Sequence, residues 1–372
     1  MVVAANAFGL ELFGRLVTEQ SEENVFFSPL SAYFALGMTA NGAVGETLGE
    51  MRAVLQQTGL SEEEANEAYR GLLELMLGLD PAVEFSIANA IWHREGLPVL
   101  AEFVATSAET FDATVDGVDF AAPESVDAIN AWVSQKTRGR IEKIVDDPGE
   151  LLDTVMFLVN AIYFKGTWQL QFDPDRTRTD QFALLDGATA DVEMMRQSDI
   201  EILRHHASEA FEAAELLYGR GAFAMTILLP PEGTSPAEFL ADVDATTWSA
   251  WVDALEETSS VTEVELPKFR LEWEKTLNDD LAGMGMPLAF GDGADFSRIA
   301  PAGEGFFISE VKQKAFVEVN EEGTVAAAVT GVNMADSARP TFRVDRPFVF
   351  AIRERFSGTL LFLGQVVNPA AG

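Results

Sequence analysis

The chain contains no cysteine. Disulfides, thiolate metal sites and a cysteine nucleophile are excluded together, since each requires the thiol. That fits a reducing compartment, and equally an exported protein that never used disulfides. Basic residues are scarce as well: 25 Lys and Arg stand against 60 Asp and Glu, a formal net charge of −35. Lysine occurs only as Lys136, Lys143, Lys165, Lys268, Lys275, Lys312 and Lys314. A surface of this sign repels a phosphate backbone, which argues against a nucleic-acid partner. Two readings of the charge stand side by side: saline surroundings that screen the self-repulsion, or an acidic but ordinary surface from an arginine-preferring genome. No apolar run approaches the roughly 18 residues that cross a bilayer, so no membrane association is expected. The start, Met1 to Leu10, lacks the basic segment and small-residue cleavage site of a secretory signal. The location is left open: secreted or cell-surface if a signal was trimmed, otherwise cytoplasmic.

What is present describes a globular protein. Of 372 residues, 48% are hydrophobic, enough for two ordinary domains or one large one. Phe8, Leu12, Phe13, Leu16 and Val17 recur at helical spacing. Ser28-Pro29 opens a second helix, serine as cap and proline at the first helical position. Helices are also expected over residues 47–57, 61–79 and 125–139, and around Trp248, Trp251 and Leu255. Residues 83–92 and 154–164 read as buried strands, the latter apolar enough to be covered on both faces. From Val192 strands dominate, with candidates at 223–229, 261–269, 306–319, 348–353 and 359–367. Helices and strands mix without βαβ regularity, which argues an α+β fold. No repeat and no Gly/Ser/Pro-rich linker divides the chain, so residues 1–372 are expected to form one domain.

One stretch fits neither pattern. Residues 321–341 follow a strong strand signal, precede another strand pair and carry almost only small side chains. A structureless segment this long inside a domain is functional or a sign of misassignment. Its alanines, flanked by Val and Thr, suit an extended strand inside a sheet. They also tolerate exposure without forming an apolar patch. A segment suited to both environments is a candidate switch.

Catalytic and metal chemistry find little support. There is no G-x-S-x-G elbow, no P-loop and no dinucleotide-binding glycine pattern, and no cofactor is expected. The three histidines are His93, His205 and His206. Adjacent residues on a strand point to opposite faces, so His205 and His206 would not share a metal, and none is expected. Asp292-Gly293-Ala294-Asp295 lacks the alternating ligands and closing glutamate of a calcium loop and reads as a turn. The chain is not expected to be an enzyme.

Several segments, in order and spanning nearly the whole chain, resemble the serpin family. They are Asn24-Val-Phe-Phe-Ser-Pro-Leu-Ser31, Asn130-Ala-Trp-Val-Ser-Gln-Lys-Thr-Arg-Gly-Arg-Ile141 and Leu158-Val-Asn-Ala-Ile-Tyr-Phe-Lys-Gly-Thr-Trp168. Ala294-Asp-Phe-Ser297, the stretch Glu321 to Ala328, and Asp345-Arg-Pro-Phe348 with Phe362-Leu-Gly-Gln-Val-Val-Asn-Pro369 complete the set. The resemblance implies three β-sheets, eight or nine helices and an exposed reactive-centre loop over about 321–341. It implies a monomeric suicide inhibitor of serine proteases. The protease cleaves the loop and forms a covalent acyl complex, and the cleaved loop enters the main sheet and distorts the enzyme. A non-inhibitory binding or chaperone-like member is the alternative.

By the same resemblance the hinge comprises Glu321, Glu322, Gly323, Thr324, Val325, Ala326, Ala327 and Ala328. Either Thr324, Ala326, Ala328 and Thr330, or Val325, Ala327 and Val329, would enter the sheet interior. Ser28, Ser31 and Asn160 match the polar "shutter" beneath the strands that must part. Gln313 stands where the family usually has a histidine, and it cannot titrate near neutral pH. Trp168 matches the "breach" where the loop first enters. Counting from the hinge places the reactive bond at Ser337–Ala338. Counting back from Pro347 gives Asp336–Ser337. The first suits an elastase- or subtilisin-like target, the second a protease requiring aspartate.

Overall fold

The computed structural model describes residues 1–198, 200–301, 306–324 and 340–371. In chain order it runs α1 (Val2–Glu19), β1 (Val25–Phe27), α2 (Pro29–Ala40), α3 (Gly45–Val54), α4 (Glu62–Leu77), β2 (Val83–Arg94), α5 (Ala101–Phe111), β3 (Thr114–Val118), α6 (Pro123–Lys136) and β4 (Met156–Thr167). There follow β5 (Arg178–Ala183), β6 (Thr189–Ser198), β7 (Leu203–Ala207), β8 (Glu212–Tyr218), β9 (Phe223–Leu229), α7 (Pro236–Leu240), α8 (Ala245–Asp253), β10 (Glu256–Thr258), β11 (Glu263–Pro267) and β12 (Phe269–Thr276). The chain ends through α9 (Asn278–Met284), β13 (Glu310–Asn320), β14 (Gly323–Thr324), β15 (Thr341–Arg343), β16 (Phe348–Glu354) and β17 (Leu360–Val366).

The strands form three sheets among the described residues. One has the order β1-β17-β16-β9-β8-β7-β10, a second β15-β11-β6-β5, and the third β12-β13-β14-β4-β2-β3. The third carries the candidate site. Its β4 is buried along almost its whole length, because α2 packs on one face and α6 on the other. α2 is apolar all round and buried at every residue, as a helix running through a core must be. Ser28 caps it by accepting from the Ser31 amide at 3.2 Å. α6 lays Ile129 and Val133 over Ala90, Phe157 and Val159, a second apolar cluster on the outer face of the sheet.

Several sequence expectations shift. The strand expected over 261–269 is two strands in different sheets, β11 and β12. The chain changes sheet at Lys268, whose amide bonds to the Glu193 carbonyl at 2.8 Å. The strand-dominated part begins at Arg178 rather than Val192, and α5, α7 and α9 are not among the expected helices. The strand expected from 306 starts at Glu310.

Candidate functional site

β13 and β4 are parallel neighbours only at their lower end, where Glu310 to Gln313 pair with Phe157 to Asn160. At the upper end β14 lies between them: Thr324 pairs with Val319 on one side and Gly166 on the other, and Gly323 with Asn320 and Thr167. Between these two zones, among the described residues, no strand pairing joins residues 161–165 to 314–318. The sheet therefore contains a slot, and the chain entering its top is the start of the small-residue segment.

Gly323 makes that entry possible. Its φ is +144°, and a Cβ there would lie 2.1 Å from the Gly166 carbonyl oxygen and 2.7 Å from the Thr167 Cα. Both are backbone atoms of β4, so only glycine allows this approach. Thr324 follows with 3% exposure, its hydroxyl 2.9 Å from the Tyr218 hydroxyl. Burial raises the Tyr218 pKa far above its ordinary value, keeping the phenol protonated for this bond. Trp168 stacks on Tyr218 with ring centroids 4.4 Å apart at 14°. It holds the incoming chain twice: its amide donates to the Glu322 carbonyl at 2.7 Å and its indole N–H to the Asn320 carbonyl at 2.9 Å. The Phe172 amide adds a bond to the Glu321 carbonyl at 2.9 Å.

Glu321 is fixed by its side chain as well. The Lys268 ammonium lies 2.6 Å from its carboxylate and the Thr177 hydroxyl donates at 2.7 Å. Burial alone would raise this carboxyl, but the bonds from Lys268 and Thr177 win and leave its pKa lowered. Glu321, Glu322, Gly323 and Thr324 are thus all buried, and Thr324 already sits inside the sheet. Of the remaining expected hinge positions, Val325, Ala326, Ala327 and Ala328 lie outside the described residues, as do Asp336, Ser337 and Ala338.

Beneath the lower end of the slot, polar side chains gather where apolar packing would be usual. Asn160 is opposite Asn89 across β2 and opposite Gln313 across β13, so three amides stand in one row. Asn160 donates to the Asn89 side-chain oxygen, and Asn89 donates to the Phe111 carbonyl at 3.3 Å. Gln313 clamps Ser28 by two bonds of 3.0 Å, accepting from its amide and donating to its carbonyl. The Ser28 hydroxyl donates to the Leu361 carbonyl at 2.6 Å. Ser31 is buried in the same cluster, and its hydroxyl oxygen and the Asn160 Oδ1 have no bonding partner among the described residues. The row divides naturally between Asn160 and Gln313: each keeps its own amide partners if β4 and β13 move apart.

The turn after α6 crosses the upper part of the slot. Arg138 pairs with Glu84 of β2 and lies 5.3 Å from the Tyr163 ring centroid of β4. Arg140 reaches the other bank, 3.9 Å from the Glu318 carboxylate and 5.9 Å from the Phe316 ring of β13.

The family model for serpins, described as serine protease inhibitors, matches residues 3–369. The chain belongs to the serpin family. It is 36% identical to Iripin-3 of Ixodes ricinus over 98% of this chain and 94% of that one. Its fold superposes on human glycosylated kallistatin with a TM-score of 0.90 at 27% identity, covering 99% and 97% of the two chains. Human thyroxine-binding globulin complexed with its hormone gives 0.88 at 29% identity, over 99% and 98%. Serpins are generally protease inhibitors rather than catalysts, and they typically form complexes with serine proteases.

Sequence reasoning did not find Tyr218, Asn89, Lys268 or Thr177 in this serpin. Each acts through a partner far along the chain, and none carries a local pattern that marks it. The histidines stand apart from the slot. His205 lies 2.9 Å from the Glu212 carboxylate, His206 packs on Phe211, and His93 meets the Arg94 carbonyl at 3.0 Å. Among the described residues no group of three or more His, Cys, Asp or Glu is placed to hold a metal ion, and no helix is long and apolar enough to cross a membrane.

Proposed function

We propose that this serpin is a suicide substrate of serine proteases that traps the acyl-enzyme by drawing its cleaved loop into the slot between β4 and β13. The observation that carries this reading is Thr324, seated in the slot and bonded to Tyr218. Period-two alternation from that seat puts Ala326, Ala328 and Thr330 on the inward face. No charge and no proline occurs between Gly323 and Met334, so an entering strand buries nothing that resists burial. Pairing both open banks adds about ten ladder bonds at about 0.5–1.5 kcal/mol each, on the order of 5–15 kcal/mol. Serpin loop insertion is itself a standard instance of strand addition to a sheet, and the uninserted state is then held kinetically. Ser28, Ser31, Asn160 and Gln313 act as the shutter, Trp168 as the breach, and Glu321 through Ala328 as the hinge.

The bond attacked is Ser337–Ala338, with Asp336–Ser337 as the alternative. The small residues suit an elastase- or subtilisin-like protease, and the inhibitor acts as a monomer. Incubation with elastase and subtilisin yields a covalent, SDS-resistant complex, and sequencing places the cut after Ser337. Clean cleavage without complex across a broad panel of serine proteases refutes the proposal. The likeness to thyroxine-binding globulin favours a second reading, a binding serpin whose loop is cut without inserting. That reading predicts no gain in melting temperature after loop cleavage.

A further inference from the structure

The lower seam of the slot, where β4 and β13 are still paired, is strapped from outside. After α6 the chain runs back over the outer face of the sheet, and Ile144, Val145 and Leu151 pack with Phe157 and Val159 of β4. Asn130 of α6 fixes this strap, donating to the Val145 carbonyl at 2.8 Å and accepting from the Ile144 amide at 2.9 Å and the Val145 amide at 3.1 Å. The strap therefore belongs to the β4 side. Glu150, in a short turn at Pro148–Leu151, reaches across to β13. One of its carboxylate oxygens accepts from the Asp147 amide at 3.0 Å and the other from the Lys312 ammonium at 3.2 Å.

Lys312 stands opposite Val159 in the paired zone and is only 8% exposed. Its second partner, at 2.8 Å, is Glu274 of β12. Burial alone would lower the pKa of this ammonium, but the two carboxylates win and leave it raised, so the charge persists. The two partners sit on opposite sides of the seam. β12 is paired with β13 from Phe269 to Thr276 and travels with it, whereas Glu150 stays with β4. Admitting a strand takes β4 and β13 from about 4.8 Å to about 9.6 Å apart. The Lys312–Glu274 contact survives that step, and Lys312–Glu150 does not.

We infer that the Lys312–Glu150 ion pair is a tie across the lower seam, and that Lys312 is a positioning residue dividing strand entry into two stages. The upper stage, along 161–165 and 314–318, breaks no strand pairing among the described residues. The lower stage must part Glu310 to Gln313 from Phe157 to Asn160 and release Glu150 in the same movement. The staging rests on the reading that a strand enters this slot; the tie itself does not.

Hydrogen exchange of the intact chain, without protease, reads the tie. Glu150→Gln keeps an acceptor for the Asp147 amide and loses the charge. It speeds exchange of the amides of 157–160 and 310–313 about two- to fivefold, the span of a partly exposed ion pair. Glu274→Gln removes a nearer carboxylate from the same ammonium and does not speed it, because both partners move together. Unchanged seam exchange in Glu150→Gln overturns the inference, as does an equal rise in Glu274→Gln or in β9 and β16. Synthetic peptides read the staging. Continued from the Thr324 register, residues 325–329 meet 165–161 and residues 330–333 meet 160–157. A peptide of residues 325–333 raises the melting temperature of the intact chain about two- to fivefold sooner in Glu150→Gln than in wild type. A peptide of residues 325–329 shows no such gain. Equal rates for the longer peptide overturn the staging. No uptake of it by wild type refutes strand entry, and the staging with it, while the exchange measurement still decides the tie.

Discussion

Replacing Thr324 with arginine tests the slot at its most constrained point. The side chain is 3% exposed, pairs with Tyr218 at 2.9 Å and lies beside the Trp168–Tyr218 stack. Among the described residues no carboxylate pairs with this position. A guanidinium there is a buried, unpaired charge, costing several kcal/mol even after relaxation. What holds β14 in place is a handful of ladder bonds and one hydroxyl contact, together about 2–5 kcal/mol. The charge wins, and Thr324→Arg expels β14 from the sheet instead of being accommodated in it. Hydrogen exchange with mass spectrometry reads this directly. Peptides covering Gly323–Thr324 and the facing end of β4 lose protection, while β9 and β16 keep theirs. In the protease assay the variant is cleaved like a substrate and the yield of SDS-resistant complex collapses. Protection of Gly323–Thr324 equal to wild type refutes the energetic argument. An unchanged yield of complex despite lost protection refutes the assignment of Thr324 as the leading inserted residue.

Three further outcomes are expected. Gln313→His converts the clamp on Ser28 into a titrating one: a buried imidazole must be neutral to accept from the Ser28 amide and donate to its carbonyl, so its pKa is depressed. Its contribution is present above the ordinary histidine value of about 6.5 and is lost as pH falls, so the melting temperature of the variant drops relative to wild type between about pH 7 and 5. Glu321 has a lowered pKa, so its stabilisation is present above the unfolded glutamate value of about 4.3 and disappears as pH falls through the folded one. The gap in unfolding midpoint between wild type and Glu321→Gln is therefore widest near pH 7 and narrows in acid. Salt screens a net charge of −35, so thermal melting rises from low to multimolar salt if the surface suits saline surroundings, and indifference to salt sinks that reading.

How far the sequence reveals this site depends on the range of each contact. The Ser28-Pro29 start of α2 and the Ser61–Glu64 capping box of α4 are local chemistry and could be read directly. Trp168 and the amides Asn160 and Gln313 were reachable because motifs of the family surround them. Tyr218 was not: its importance is a bond to Thr324, 106 residues away, and β8, Glu-Ala-Ala-Glu-Leu-Leu-Tyr, carries no pattern that marks its last residue. Asn89 was visible only as a polar residue in a buried strand, and its role exists once β2 and β4 pair in register. The sheet change at Lys268 is not legible in the sequence because 261–269 is continuously strand-like, and only the pairing partners separate its halves. That Thr324 is already inside the sheet follows from the close approach of Gly323 to β4, a matter of φ rather than composition.

The turn after α6 has a kinetic meaning. Its contacts are individually weak: exposed ion pairs to Glu84 of β2 and Glu318 of β13, and arginines over the Tyr163 and Phe316 rings of the two banks, about 0.5–1 kcal/mol apiece. A latch of that strength opens by thermal motion many times before anything passes beneath it. Its arginines meet Glu84 and Glu318 again as soon as they return. If the loop inserts as proposed, the turn behaves as a catch that slows passage through the slot equally in both directions, at little cost in equilibrium stability.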